Sequence, residues 1–592
     1  MRAFTRVLMC ISGMGCAATG VIHEGDDDPS IGSEEEVSSA QVQEARARRR
    51  DARATTDVRD AVVDASDVRA VVDASDVRDV VDASDVRDVV DAAEASTDVP
   101  AAPTTPGISV AAPIGQVSVR QIPVLASLTG VRAFPGAVGF GASATGGRGG
   151  RVIYVTTTAP SGPGSLAEAL AATGPRYVLF KVSGLINASF RISQGNVTIA
   201  GHTSPGGVTV RGIRTDESNW CDTHCGAGVI GINNVIIRHL RARPAPIVGG
   251  DELVEADGVR IRSSRNVIVD HVSSGNALDE SMEISYSNNV TVQDCIIGET
   301  LGGHADYGGM LVNYSNPAGG YALEAITVAR TAWVRIKGRY PELSREGDAS
   351  GSVARVELAN NLLWDQRFYV ATANTNGVHL WTGSPVAFHL NWVGNVSVTR
   401  SSYPYGMLWL ENVNGQSRGF FSDNRLSTQP SRVDWALNYC CSDFASSPAP
   451  TRPSWGLSAR HNFPAVTYLP GASVRPYVVA HAGAFPRDPM DRRLMGYVAA
   501  GVIPASAPET NPANDARATN WGTGAAPTAP VDTDADGMPD GWERAHGTNP
   551  AVQDHNGTAV GATVPGMSGY NNLEVYLAEL AQARLSEGPW GR

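Results

Sequence analysis

Three acidic residues lie close together between positions 270 and 283 of this 592-residue chain. Asp270 ends the strand-like run Asn266-Val-Ile-Val, and Asp279 and Glu283 follow in the next stretch. Carboxylate oxygens are the ligands that Ca²⁺ prefers. Residues four apart on an extended chain share a face, so Asp279 and Glu283 could point together while Glu280 points away. Acid clusters without a metal are also common on protein surfaces, so the spacing alone leaves both interpretations open.

A second set of acids lies near the C-terminus, in the segment Asp532-Thr-Asp534-Ala-Asp536-Gly537-Met-Pro-Asp540-Gly-Trp-Glu543. It fits the calcium loop D-x-D-x-D-G-x5-E, in which the final Glu binds the ion with both oxygens. The loop resembles thrombospondin-type or dockerin-like calcium loops, because a stretch rich in proline and alanine precedes it instead of a helix. We expect one structural calcium ion bound by Asp532, Asp534, Asp536, Asp540 and Glu543, with the partner stretch around Asp554 degenerate.

Short β-branched runs headed by Asn or Ala recur from about Val131 to Asn395 and would have to position the first acid cluster. They start at Asn196, Asn234, Asn266, Asn289 and Ala325, and the closest pair is 23 residues apart. Such a period is typical of one coil of a β-solenoid, and wider gaps would be coils that carry an insertion on one face. Alternation along the strand places His271 opposite Asp270, which favours a buried histidine.

The ends of this repeated region also carry local signals. Ser165-Leu-Ala-Glu168 has the spacing of a capping box, which predicts a short helix over the N-terminal end of the solenoid. Residues 487–498 are expected to form a helix near the other end. The glycine-rich stretch from Gly139 to Gly150 leads into a strand and not into a helix, which excludes a dinucleotide site.

Charge and composition divide the chain. Residues 1–16 resemble a signal peptide, with lipid attachment at Cys16 as a second possibility, which predicts a secreted protein or one anchored to an outer membrane. Residues 17–115 are a low-complexity linker, and residues 17–105 carry 22 acidic and 9 basic side chains of a chain with net charge −13. Residues 17–105 contain no aromatic residue and cannot bury enough apolar surface to form an ordered structure. Residues 505–530 form a second linker, before a calcium-loop segment at 531–592. The pair Cys221 and Cys225 could form a disulfide or remain free.

Several motifs resemble the pectate lyase family in their order along the chain. They are Asn266-Val-Ile-Val-Asp270-His271, Asp279-x-x-x-Glu283 and Arg339-Tyr-Pro341-Glu-Leu-Ser-Arg345. Glycine-containing stretches at 133–141, 146–150 and 162–166 are also similar to bacterial and fungal members, so the resemblance covers about residues 131–500. It implies an all-β fold, a right-handed single-stranded parallel β-helix at 131–504. It also implies that the enzyme cleaves de-esterified polygalacturonate by calcium-assisted β-elimination, giving 4,5-unsaturated products.

By this resemblance Asp270, Asp279 and Glu283 would be ligands of a catalytic Ca²⁺, the sole cofactor. Arg339 would remove the C5 proton, and Arg345 would bind a substrate carboxylate. A guanidinium normally stays protonated, so the base role requires neighbouring cations and predicts an alkaline optimum; otherwise Arg339 only orients substrate while water or Tyr307 moves the proton.

Two departures from the family pattern leave alternatives. Where many members place a substrate-binding Lys, this chain has His304-Ala-Asp-Tyr307, so His304 or Tyr307 would make that contact or it is lost. The interval from Arg339 to Arg345 is one residue longer than usual. The alternatives are a pectin lyase, a polygalacturonase with paired acids, and a non-catalytic polysaccharide-binding surface protein. We expect a monomer whose partner is pectin and not nucleic acid.

Overall fold

The β-branched runs headed by asparagine form strands that stack in parallel register. The computed structural model describes residues 108–109, 131–215, 231–244, 257–300, 308–315, 322–336, 338–344, 353–365, 372–374, 387–411, 416–439, 452–506 and 525–586. Within these ranges strands β2 to β27 belong to parallel sheets, and the described residues all fall in one compact unit. The strands are numbered in chain order.

One sheet of ten strands runs the length of the repeated region and is called sheet I. Its strands are β2 Arg151–Val155, β3 Arg176–Phe180, β5 Val197–Ala200, β7 Ile232–Arg238, β10 Ser264–Asp270, β13 Asn288–Gln293, β16 Glu324–Ala329, β19 Val353–Ala359, β22 Ala387–Val393 and β25 Arg418–Ser422.

The other strands form two arms that meet at β6 Val208–Arg214, which also pairs with β4 Gly184–Arg191. Sheet II contains β8 Leu240–Ala242, β11 Ser273–Ser274, β14 Ile296–Ile297, β17 Ala332–Val334, β20 Leu362–Trp364, β23 Val396–Val398 and β26 Arg425–Leu426. Sheet III contains β9 Val259–Arg262, β12 Met282–Ser285, β15 Met310–Asn313, β18 Glu342–Leu343, β21 Thr372–Asn374, β24 Leu408–Glu411 and β27 Asn438–Tyr439. Outside them, β1 Ile108–Ser109 pairs antiparallel with β28 Val502–Ile503.

The chain passes through sheets III, I and II in turn and then repeats. Thus β9, β10 and β11 make one coil, and β12, β13 and β14 lie directly on it with parallel pairing. This confirms the predicted parallel β-helix. The coils continue to β27, beyond the expected limit near Asn395. The sequence did not reveal these coils because the last strands of sheets II and III are only two to four residues long and leave little periodic signal.

Asparagines at the start of sheet I form a ladder across successive coils. Asn266 has a left-handed backbone, with φ of 55°, and its Nδ2 donates to Oδ1 of Asn233 at 2.9 Å. Asn289 Nδ2 donates in turn to Oδ1 of Asn266 at 3.1 Å. Asn tolerates this conformation better than most residues, so the asparagines mark the place where the backbone turns in these coils.

The described helices lie at the ends of the coils and on their outer faces. They are α1 Leu166–Ala171, α2 Gly471–His481, α3 Pro489–Ala500, α4 Asp540–His546, α5 Ala559–Thr563 and α6 Asn572–Ser586. The predicted helix and its Ser165 cap are confirmed, since Ser165 Oγ accepts from Glu168 N; Glu168 Oε2 accepts from N of Gly164, the residue before the cap. The helix expected at 487–498 is α3. Among the described helices, none has the length and apolar character needed to span a bilayer.

Apolar side chains fill the inside of the coils and also cover two of the three outer faces. Helices α2 and α3 pack on the outside of sheet II, with Trp364 and Leu494 in one cluster. The outside of sheet I is covered by residues 133–144 and by Phe463 and Val466. In the described residues, these outer clusters contain no side chain from sheet III. The outer face of sheet III is therefore the one left for polar groups.

Candidate functional site

The outer face of sheet III carries charged side chains because its strands alternate. In β9 and β12, Val259 and Met282 point into the core. Arg260 and Glu283 lie side by side in the register of the two strands, and Arg260 Nε is 2.7 Å from Glu283 Oε2. The same Nε lies 2.6 Å from Asp257 Oδ2. The Arg260 guanidinium therefore bridges two carboxylates from neighbouring coils.

Three carboxylates meet where the chain enters β9 and β12. One oxygen each from Asp257, Asp279 and Glu280 lies within 4.8 Å of the others. The two loops are held together by backbone bonds, since Gly258 N donates to Glu280 O at 3.1 Å and Glu280 N donates to Asp257 Oδ1 at 3.1 Å. We call Asp257, Asp279 and Glu280 the acidic cluster. Asp257 did not emerge from the sequence, although it precedes Glu280 by 23 residues, the length of one coil.

Glu280 lies inside the acidic cluster, whereas simple alternation placed it on the far side of the chain. The strand begins only at Met282, and residues before it form bends, so the two-residue period does not extend back to Asp279. Burial raises the pKa of Asp257 well above its usual value; Arg260 opposes this effect, and the charges of Glu283 and Asp279 add to it. These carboxylates therefore share a site at which negative charge is concentrated.

Arg339 reaches the acidic cluster from two strands away. It precedes β18, and its guanidinium contacts Glu280. The distance between Arg339 Nε and Glu342 Oε2 is 3.0 Å. Its position depends on Gly309, because Met310 N donates to Arg339 O at 2.8 Å and a Cβ on Gly309 would lie 2.1 Å from that oxygen. The described neighbours of the Arg339 guanidinium include carboxylates, where the base hypothesis requires cations.

Asp270 lies apart from the acidic cluster, at the end of β10 in sheet I. Its carboxylate is fully buried and is bound by Arg238 Nε at 2.8 Å, His271 Nδ1 at 2.9 Å and Gln293 Nε2 at 2.8 Å. Burial alone would raise the pKa of Asp270, but His271 and Arg238 outweigh it and hold the pKa well below its usual range. His271 is buried, as expected, and stacks on His239. The geometry thus separates Asp270 from Asp279 and Glu283.

The remaining predicted residues of this site, His304, Tyr307 and Arg345, lie outside the described residues, as do Cys16, Cys221 and Cys225. The described residues of the acidic cluster fit a calcium ion, because all their donor atoms are carboxylate oxygens. Zinc and copper prefer nitrogen or sulfur ligands, and the cluster offers none.

A line of arginines leads from β4 through β6 to β9 of sheet III, next to the acidic cluster. Arg191 of β4 is in register with Arg214 of β6, and Arg214 is in register with Arg260 of β9. Neighbouring strands are about 4.8 Å apart, so these three positions form a row across the strands with about that spacing. Arg191 and Arg214 are exposed. Arg260 is paired with Asp257 and Glu283, so the exposed Arg191 and Arg214 are the members of this line that suit an extended polyanion.

The C-terminal acids form two groups that share Asp536. One contains Asp532, Asp534 and Asp536, and the other contains Asp536, Glu543 and Asp554. Asp540, which the linear motif included, lies outside both groups: its carboxylate accepts from N and Oγ1 of Thr533 at 2.8 and 2.9 Å. Asp554, in the stretch considered degenerate, takes a place among the clustered acids.

Comparison with known proteins also points to pectate lyases. No protein-family model matches the chain. The chain is 30% identical over 475 residues to "Probable pectate lyase C" of Emericella nidulans, covering 78% of this chain and 95% of the relative. The namesake in Aspergillus fumigatus is 30% identical over 466 residues, covering 77% and 95%. A "Pectate lyase" of Nicotiana tabacum is 28% identical over 182 residues, 27% of this chain and 42% of the relative.

Solved structures are more distant. The major allergen of cedar pollen matches with 16% identity and a TM-score of 0.38, covering 59% of this chain and 92% of the allergen. A pectate lyase bound to hexasaccharide matches with 14% identity and a TM-score of 0.35, covering 60% and 98%. At these TM-scores the likeness adds nothing to the fold described above. The fungal relatives decide the family: with 30% identity over nearly their whole length, the chain belongs to the pectate lyase family of polysaccharide lyases.

Proposed function

We propose that this protein cleaves de-esterified polygalacturonate by calcium-assisted β-elimination and releases 4,5-unsaturated oligogalacturonates. The observation that carries the proposal is the contact of Arg339 with Glu280 of the acidic cluster on the open face of sheet III. A cation site and a guanidinium side by side are what elimination next to a carboxylate requires. The arginines in line on β4 and β6, beside β9, support a polyanionic substrate.

Asp257, Asp279 and Glu280 would hold the calcium ion, with Glu283 joined to them through Arg260. This set replaces Asp270, whose oxygens are taken by Arg238, His271 and Gln293. When bound, calcium would join a substrate carboxylate to the protein and stabilise the negative charge that develops on it. Each carboxylate is supplied by a loop next to a rigid strand, which favours a fixed site.

In the proposed reaction Arg339 first loses a proton to solvent at alkaline pH and then accepts the C5 proton of a galacturonate residue. The electrons of the C5–H bond form the C4–C5 double bond, and the C4–O4 bond breaks, so that O4 departs with its electron pair and is protonated by solvent. Arg339 must first leave its contacts with Glu280 and Glu342. Arg345 would bind a substrate carboxylate, and His304 or Tyr307 would take the position of the family's lysine. If Arg339 does not act as the base, it orients the substrate through the same contacts.

The test is absorbance of the unsaturated uronate product while the purified protein acts on polygalacturonate, with calcium and then with chelator. We expect a calcium-dependent rise that Arg339→Ala abolishes. Arg355→Ala is the matched control, because Arg355 lies on sheet I, away from the acidic cluster. Its side chain is 46% exposed, and its ion pair with Glu324 is long, at 3.7 Å. Release of reducing sugar without absorbance would indicate hydrolysis, and absence of any product would favour a binding protein; either result overturns the proposal.

The proposal includes the organisation of the chain. Residues 131–504 would form the catalytic domain, and residues 531–592 a calcium-binding segment. Residues 1–16 would direct export, with or without a lipid on Cys16, so that a monomeric enzyme meets pectin outside the cell. Mass spectrometry of the mature N-terminus tests the export step, and a chain that retains residues 1–16 contradicts it.

A further inference from the structure

The C-terminal segment is attached to the first coils of the β-helix through an apolar contact. Helix α6 and the loop before α4 lie on the outer face of β2, β3 and β5, where the side chains that point away from the core need cover. The buried members of this cluster are Tyr177, Leu179, Ala200, Met538, Leu573, Tyr576 and Leu577. Residues far apart in sequence are thereby joined into one packed layer.

Polar contacts surround this layer and join the segment to the N-terminal coils. Arg148 Nε lies 2.8 Å from Glu574 Oε1, and Asn571 Nδ2 donates to the Tyr177 hydroxyl at 2.8 Å. The hydroxyl of Tyr154, on β2, donates to Asp532 Oδ2. Asp532 is therefore both the first acid of the C-terminal loop and a direct contact with the β-helix.

Glu543 supplies the observation that points to a ligand in this loop. Its side chain is fully buried, and neither carboxylate oxygen has a hydrogen-bond partner among the described residues. One of these oxygens lies within 4.8 Å of oxygens of Asp536 and Asp554. A buried carboxylate without a partner is costly, and repulsion from two further carboxylates adds to the cost. A cation between them would remove both penalties.

The clustered acids favour calcium over other ions. Five carboxylates belong to the two groups that share Asp536, namely Asp532, Asp534, Asp536, Glu543 and Asp554. Calcium accepts six to eight oxygen ligands in flexible geometry, whereas magnesium requires a near-ideal octahedron and usually retains several waters. Zinc prefers nitrogen and sulfur.

We infer that these five acids bind one calcium ion that clamps the C-terminal segment onto β2 and β3. This clamp is separate from the proposed catalytic site and does not depend on it. Without the ion the five carboxylates repel one another, the loop opens, and Asp532 leaves Tyr154. The cover over Tyr177 and Leu179 then loosens, so calcium controls the order of the first coils as well as that of the loop.

Hydrogen–deuterium exchange of the full chain tests the clamp, with mass spectrometry of peptides from residues 151–180 and 531–586. Calcium is expected to slow exchange in both regions compared with chelator. Glu543→Gln and Asp554→Asn should abolish this effect and weaken calcium binding at this site at least about ten-fold, because each removes one negative charge next to the ion. Asp540→Asn is the matched control within the motif and should behave as the unmodified chain.

Titration calorimetry measures calcium binding at both sites, and substitutions at each site separate this site from the catalytic one. Asp279→Asn should retain the calcium effect on residues 151–180, while Glu543→Gln should retain calcium-dependent cleavage of polygalacturonate. Three results would each overturn the clamp: exchange that does not respond to calcium, a response that survives Asp554→Asn, or protection confined to 531–586. Because the readout is exchange and not activity, failure of the proposed enzyme would leave this test intact.

Discussion

Replacing Asp270 by Asn distinguishes two roles for this residue, a calcium ligand or a partner in a buried ion pair. In the structure its carboxylate is bound by Arg238, His271 and Gln293, and the Arg238 side chain is only 8% exposed. The substitution keeps the volume and one hydrogen bond but leaves Arg238 and His271 without their anion. We therefore expect a loss of stability with unchanged calcium affinity.

The magnitude follows from the burial of the pair. Removing one partner of a buried ion pair costs about 3–5 kcal/mol, because the remaining charge is left in a low-dielectric environment. The Arg238 guanidinium also lies 3.8 Å from the centre of the Phe134 ring, which offsets part of the loss. A decrease of about 3 kcal/mol in the free energy of unfolding is the expected result.

The pH dependence provides an independent check of the same contact. The pKa of Asp270 in the folded protein is held well below that of an unfolded Asp, which is about 3.9. The ion pair therefore contributes its full stability above about pH 4 and loses it as the pH falls towards the folded-state pKa. The Asn variant should show a smaller loss of stability on acidification below about pH 4.

Denaturant unfolding and calcium titration of the same samples measure the two quantities. Asp279→Asn is the comparison, and it should weaken calcium binding by the proposed catalytic site while changing stability in chelator by less than Asp270→Asn. An Asp270→Asn protein with unchanged stability and reduced calcium affinity would refute the reasoning, since Asp270 would then be a ligand.

Three further substitutions test other contacts. Gly309→Ala should lower turnover about 100-fold at unchanged far-ultraviolet circular dichroism, because its Cβ would meet the Arg339 carbonyl; normal turnover would contradict the proposed position of Arg339. Arg260→Gln should tighten calcium binding about ten-fold in calorimetry, because a cation that competes for the Asp257 carboxylate is removed; weaker binding would contradict this competition. Asn266→Ala should reduce the free energy of unfolding in urea by about 1–2 kcal/mol, since it breaks two ladder bonds and places Ala at φ of 55°; no change would mean that the ladder is not stabilising.

The sequence predicts the fold where the signal is local. The Asn-headed runs locate the central strands of sheet I, because Asn196, Asn234, Asn266 and Asn289 each lie at a left-handed backbone turn that recurs in these coils. The capping box at Ser165 locates α1 for a similar reason. The short strands of sheet III contain only two to four residues, and their sequence carries too little alternation to be recognised.

The site was harder to predict, because its residues come together through stacking of coils. Asp270 and Asp257 both stand near strands, and only the pairing of strands into sheets shows that Asp257 joins Asp279 while Asp270 belongs to sheet I. In the C-terminal loop the motif suggested Asp540, whereas the fold brings in Asp554 from the following turn. Position in a linear motif does not determine which carboxylates meet.

The cover that residues near the C-terminus provide for β2 and β3 has a consequence for biosynthesis. Solenoid coils can form one after another as the chain emerges, each on its predecessor. In the first coils, however, Tyr177 and Leu179 remain exposed until the ribosome has synthesised α6, about 400 residues later. A nascent chain, or one truncated before position 572, would present an uncovered strand face to chaperones and to other chains.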